Sequence, residues 1–300
     1  MTSAATGIDT RYGVLVGADG SPASNAAVVW AARDAALRNL PLTVVHVVNT
    51  DIKTWPPMPF PDTWASWQED GGKKVLAEAL ETARQAVPAS RGLVVNRELV
   101  FSAPVATMIE MSQEAELLVV GSAGHGAVAR LLLGSVSASV VRHAHCPVAV
   151  VHDEDPLMPD PAGAPVVVGI DGSPASELAT AVAFDQASHR EVGLIAVHAW
   201  SDHDVTELPG LDWSNLAADA ERSLAERLAG WQERYPDVEV TRVVVSDRPV
   251  HQLVARSESA QLLVVGSHGR GAVAGALVGS VSNALVHSVR MPVIVARAPG

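Results

Sequence analysis

A chain that carries one pattern twice is confined to folds that the pattern can build twice. Val14-Leu-Val-Gly17-Ala-Asp19-Gly20-Ser21-Pro22-Ala-Ser24 recurs 152 residues later as Val166-Val-Val-Gly169-Ile-Asp171-Gly172-Ser173-Pro174-Ala-Ser176. His46 and His198 keep that spacing inside apolar runs. Farther on, Gly121-Ser-Ala-Gly124, nine residues and Gly134-Ser135 reappears as Gly266-Ser-His-Gly269, nine residues and Gly279-Ser280, now 145 residues apart. The second copy is therefore seven residues shorter, and the sequence assigns the extra length of the first to Asp51 to Gly72, a stretch rich in Trp and Pro. A repeat of this length reads as two similar domains, each large enough for its own core and expected to pack as a pseudo-dimer. The expected domains are 11–151 and 166–297, joined by a linker over 152–165 whose prolines and acids cannot sustain a helix or a central strand.

Within each copy, a Val-rich run ends in Asp and is followed by Gly-Ser-Pro, where Ser21 or Ser173 caps a helix and Pro22 or Pro174 fits its first turn. The helices are predicted over 23–38 and 175–190, and a second apolar run follows at 42–48 and 193–200. A second helix spans about 67–87 and 215–234, a third run 94–100 and 238–245, and a short helix opens near Pro104 or Pro249. The fourth run, Leu117 to Val120 or Leu262 to Val265, enters the glycine loop; a helix starts at Ser135 or Ser280, and the last run ends at Val151 or Ala296. Continuous apolar strands alternating with helices imply an α/β fold with a parallel sheet covered on both faces. If the first and fourth strands are neighbours where the strand order reverses, Asp19 meets the Gly121 loop and Asp171 the Gly266 loop. Open α/β sheets bind ligands in such a crevice.

Glycine loops of this kind can cradle phosphate. Without side chains in the way, consecutive backbone N–H groups turn toward one anion, and the helix opening at Gly-Ser offers further amides with a partial positive charge. Ser135, Ser137, Ser280 and Ser282 are expected to add hydroxyl donors. Each charge-assisted hydrogen bond contributes about 1.5–3 kcal/mol, so a few suffice for binding on the order of micromolar without a basic cluster. The competing reading is a pair of tight turns and helix starts with no ligand. Neither a P-loop GxxxxGK[ST] nor a GxGxxG on the first strand is present. A net charge of −12, with lysine confined to Lys53, Lys73 and Lys74, argues against nucleic acid as a partner. A single cysteine, no apolar run of membrane-spanning length and an amino terminus unlike a signal peptide point to the cytoplasm, with no membrane insertion.

Taken together, Gly-x-x-Gly, nine residues and Gly-Ser behind a Val-rich first strand ending in Asp resembles the universal stress proteins, specifically their tandem-domain, ATP-binding type. The resemblance implies two tandem Rossmann-like (adenine-nucleotide alpha hydrolase-like) domains, each a five-stranded parallel sheet in the order 3-2-1-4-5 with helices on both faces. It implies one ATP per domain, with Mg²⁺ carried by the nucleotide, a dimer, and a regulator of stress response or growth acting on an unidentified protein partner. Carried onto this sequence, it puts Gly17, Asp19, Gly169 and Asp171 beside the nucleoside, joined by residues just past the second strand around Thr50 and Asp202. It puts Gly121, Ser122, Ala123, Gly124, His125, Gly126, Ala127, Gly134, Ser135 and Val136 around the phosphates of the first half. Gly266, Ser267, His268, Gly269, Arg270, Gly271, Ala272, Gly279, Ser280, Val281 and Ser282 do so in the second.

Other residues are read against plainer alternatives. Ser21 and Ser173 fill the cap positions, which leaves the Asp19 and Asp171 carboxylates at the strand ends for a ligand. His46 and His198 read as hydrogen-bonded core residues rather than catalysts. His143-Ala-His145-Cys146 has metal-binding residue types, but its counterpart Ser288-Val-Arg290-Met291 does not, so it reads as a helix end and no metal ligands are assigned. The 51–72 stretch reads as a lid, a docking surface or aromatic packing. No catalytic residue is assigned; the alternatives to a nucleotide-dependent regulator are a slow Mg-dependent ATP hydrolase and an interaction module without nucleotide.

Overall fold

The computed structural model describes residues 10–50, 64–124, 133–153, 163–199, 213–269 and 278–297. The described residues of 10–153 form one compact unit and those of 163–297 a second.

In the first unit the elements run β1 (Gly13–Gly17), α1 (Pro22–Arg38), β2 (Leu42–Val48), α2 (Trp64–Gln85), β3 (Val95–Phe101), α3 (Pro104–Met111), β4 (Ala115–Gly121), α4 (Ser135–His143) and β5 (Val148–Val151). All strand pairs are parallel: β1 lies between β2 and β4, β3 flanks β2 and β5 flanks β4, giving the order β3-β2-β1-β4-β5. The three-residue core of β1, Val14 to Val16, is fully buried, as a central strand covered on both faces requires. Helices α1 and α2 pack together, as do α3 and α4, and between them they cover the two faces of the sheet. Ser21 caps α1 by accepting the Ser24 N–H at 3.2 Å, with Pro22 in the first turn. Ala27, Ala31 and Ala35 let the α1 backbone lie close to the sheet.

The second unit repeats this plan as β6 (Val166–Gly169), α5 (Pro174–Arg190), β7 (Leu194–Ala199), α6 (Trp213–Arg234), β8 (Val240–Val245), α7 (Pro249–Ser257), β9 (Leu262–Gly266), α8 (Ser280–Ser288) and β10 (Val293–Ala296). Its parallel order is β8-β7-β6-β9-β10.

The length difference between the copies lies only partly where the sequence put it. Helices α2 and α6 are both 22 residues long and start at Trp64 and Trp213, 149 apart. Within and just past them, Leu76, Leu80 and Pro88 match Leu224, Leu228 and Pro236 at a spacing of 148, with all four leucines buried, so four of the seven residues fall before this register and three fall after Pro88, where the first unit has a 3-10 turn at Ala89–Arg91. Gly71 and Gly72 are inside α2, as the helix expected over about 67–87 implies. At Gly72 a Cβ would come within 2.8 Å of Val48 Cγ2 and 3.0 Å of Leu99 Cδ1, so the missing side chain is what lets α2 sit down on the strands. Trp55 and the rest of 51–63, and most of the expected linker (154–162), lie outside the described residues.

Candidate functional site

The register of β1 against β4 sets Leu15 beside Leu118 and Val16 beside Val119, so both strands deliver their carboxyl ends to the same place. From there the chain leaves β1 for α1 and β4 for the glycine loop and α4, the point where the strand order reverses. Gly20 turns the chain with φ 83°, and Gly172 does so with φ 80°. Gly121 passes so close to the first turn of α1 that a Cβ on it would be 2.6 Å from the Ala23 carbonyl carbon; at Gly266 the figure is 2.7 Å, to Ala175. A Cβ on Gly124 would meet Asp19 Oδ2 at 2.6 Å, and one on Gly269 would meet Asp171 Oδ2 at 2.7 Å. Each aspartate thus lies directly against its glycine loop, and the two halves reproduce the arrangement to within about 0.1 Å.

The loop is closed by backbone bonds. Ser122 N donates to Val151 O at 2.7 Å and Ser122 O accepts from Gly134 N at 2.8 Å; Ser267 N to Ala296 O and Gly279 N to Ser267 O, at 2.8 and 2.7 Å, are the equivalents. Gly134 and Gly279 then cap α4 and α8 without a side-chain bond, so the first-turn amides depend on another acceptor. Ser135 and Ser280 are exposed in those first turns.

Two expectations need correction. The aspartates are not left open by the serine caps: Asp19 Oδ1 accepts the Ser21 N–H at 2.9 Å, and Asp171 Oδ1 accepts the Ser173 N–H at 2.9 Å. One oxygen holds the turn while the other faces the loop. Ser137 and Ser282 do not offer their protons outward. Their buried hydroxyls donate to Gly121 O at 2.6 Å and Gly266 O at 2.5 Å, tying the start of each helix to the end of the neighbouring strand.

In the first half these groups line a cavity of about 610 Å³, within the range of small-molecule sites. Asp19, Gly121, Ala123, Gly124, Gly134, Ser135 and Val136 border it on the loop side, and Gly17, Ala18, Val45, Val47 and Met108 make an apolar wall opposite. Gly17 is small because Met108 Cε would be 3.1 Å from a Cβ there. Sequence reasoning missed Val45, Val47 and Met108. The only available signal was their position, at the carboxyl end of β2 and one turn into the helix opened by Pro104. Thr50, by contrast, is exposed just past β2 and does not line the cavity. His125, Gly126, Ala127, Asp202, Arg270, Gly271 and Ala272 lie outside the described residues.

His46 Nδ1 lies 2.6 Å from Ala18 O, and His198 Nδ1 lies 2.7 Å from Ile170 O. A carbonyl only accepts, so Nδ1 carries the proton and the ring anchors the peptide just before each aspartate. In the second loop, half-buried His268 stands where Ala123 is in the first, its Nδ1 3.0 Å from Ser267 Oγ. Cys146 is buried, which pushes its thiol up to about 12 and keeps it from acting as a thiolate ligand or nucleophile. Among the described residues, no helix is long and apolar enough to cross a membrane.

The universal stress protein family model matches residues 13–152 and again 164–297. A universal stress protein of Mycobacterium tuberculosis is 66% identical over 287 residues, covering 96% of this chain and 97% of that protein. A second universal stress protein of the same organism is 56% identical over 289 residues, covering 96% and 97%. Among solved structures, a universal stress protein from Archaeoglobus fulgidus superposes with a TM-score of 0.72 at 22% identity, covering 96% of this chain and 98% of that one, a likeness of fold. Matched by the family model in both halves and by full-length relatives, the chain belongs to the universal stress protein family.

Proposed function

We propose that this chain binds ATP, one molecule in each half, and acts as a nucleotide-dependent regulator in stress response or growth control. The observation that carries the reading is the first-half cavity: an apolar wall on one side and, on the other, glycines whose missing side chains clear the way to an uncapped helix start. The wall suits a flat base, while the loop and the first turn of α4 suit phosphates, which receive backbone hydrogen bonds and the partial charge of the helix. Asp19 Oδ2, beside Gly124, is a hard oxygen donor suited to a ribose hydroxyl or to Mg²⁺ carried on the phosphates. Nucleotide would regulate a partner only by binding two conformations of the chain with different affinity. The same reading puts the protein in the cytoplasm, as a dimer acting on another protein.

The test is equilibrium titration with ATP of the unmodified chain and of the Asp19→Ala, Asp171→Ala double variant. The expected result is micromolar binding that falls at least tenfold in the variant, with helix and sheet content unchanged. Equal affinity in both proteins would reject the crevice as the nucleotide site.

A further inference from the structure

The capping serine of the first helix in each half grips the glycine loop as well as its own helix. While accepting the Ser24 N–H, Ser21 Oγ donates to Ala123 O at 3.4 Å. Ser173 Oγ accepts the Ser176 N–H at 3.2 Å and donates to His268 O at 3.2 Å. A hydroxyl has one proton and two lone pairs, so both bonds form at once. Both serines are buried, and Ser21 does not line the cavity.

The consequence follows from peptide geometry. In a planar trans peptide, C=O and N–H point in opposite directions. Drawing Ala123 O onto the Ser21 hydroxyl therefore turns the Gly124 N–H away from the start of α1. This stretch of the loop packs against the start of α4: Gly124 N, Ala123 Cα and Ser122 O lie 3.5, 3.6 and 3.7 Å from where a Gly134 Cβ would be, and His268 Cα, Ser267 O and Gly269 N lie 3.4, 3.5 and 3.6 Å from the equivalent point on Gly279. The two carbonyls before it are also held inward, Gly121 O by Ser137 and Ser122 O by Gly134 N.

We infer that Ser21 and Ser173 are positioning residues for the phosphate end of the site. Without touching the ligand, each hydroxyl fixes the loop peptide so that the Gly124 or Gly269 amide already faces the first turn of α4 or α8 when phosphate arrives. Setting the donor beforehand lowers the ordering cost of binding. The inference rests on the ATP reading above and adds residues that reading does not use.

The test substitutes Ser21 in the full chain. Gly caps a helix nearly as well as Ser but has no hydroxyl, whereas Thr keeps both functions. Calorimetric titrations with ATP and with adenosine, which has no phosphate, read the two ends of the site separately. Ser21→Gly should weaken one of the two ATP sites about tenfold, leave adenosine affinity within about twofold, and leave the other site alone; Ser21→Thr should bind as the unmodified chain does. Ser173→Gly should do the same to the other site. Undiminished ATP binding in Ser21→Gly, a parallel fall in ATP and adenosine, or failure of Thr to restore binding would each overturn the inference. An unmodified chain that takes up no ATP would remove the ATP reading itself and the inference with it.

Discussion

Two regions built on one plan differ sharply in what stands behind their crevices. At the crevice, the aspartate, the turn glycine, the capping serine and the loop glycines of the two halves superimpose in kind and in distance. Behind it, the first half fills the space beside α2 with Ala32, where the second has fully buried Phe184 stacked on Trp231 and Tyr235 at centroid distances of 6.1 and 5.7 Å. The positions equivalent to Trp231 and Tyr235 in the first half are the buried Ala83 and Val87, 148 residues earlier, as Leu76 and Leu80 are to Leu224 and Leu228. At the foot of the first helix, buried Asp34 lies 3.7 Å from Arg38, whose other arm reaches Glu116 at 3.1 Å. The second half uses neutral Gln186 against Arg190, and Gln261 donates instead to Ala164 O. The lesson is that core packing and charge pairing have more than one workable answer here, whereas the aspartate, the capping serine and the loop glycines are set the same way twice.

The comparison can be broken by substituting the divergent parts. Phe184→Ala removes the largest fully buried side chain of the second half and should cost about 3–5 kcal/mol, read as lost amide-exchange protection in that half alone. Asp34→Ala leaves Arg38 without one partner of a buried pair and should cost about 3 kcal/mol in denaturant unfolding. Asp34→Gln, which installs the residue of the other half, should cost about 1 kcal/mol or less. If Gln proves as damaging as Ala, the two networks are not interchangeable solutions.

Substitution of the shared parts sharpens it. Gly121→Ala presses a methyl against the α1 backbone at Ala23 and should cost about 2 kcal/mol, because backbone must shift. Gly124→Ala meets one side-chain oxygen, Asp19 Oδ2, rather than backbone. It should therefore change stability by less than about 1 kcal/mol while lowering ATP affinity in the first half. Unfolding curves and ATP titrations on both variants check the split; an equally destabilised Gly124→Ala chain would mean that the loop supports the fold as much as the site.

Much of this was legible in the sequence, for identifiable reasons. The strand and helix order follows from periodicity, and the meeting of Asp19 with the Gly121 loop follows from strand adjacency at the reversal of order. The close seat of α2 was not legible: the helix expected over about 67–87 does form, starting at Trp64, but only the side chains of Val48 and Leu99, brought there by the fold, explain why its position 72 is glycine. Nor could the direction of the Ser137 hydroxyl be read, since the competing acceptor, Gly121 O, is brought to it only by the packing of α4 on β4. Met108 joins the cavity wall for the same tertiary reason.

The most direct test is mass spectrometry of the ligand released on denaturing protein purified without added nucleotide, calibrated as moles per chain and followed by ATP titration of the stripped protein. An adenine nucleotide at close to two per chain, with two sites that refill, is the expected result. No nucleotide on release and no binding on titration would contradict it.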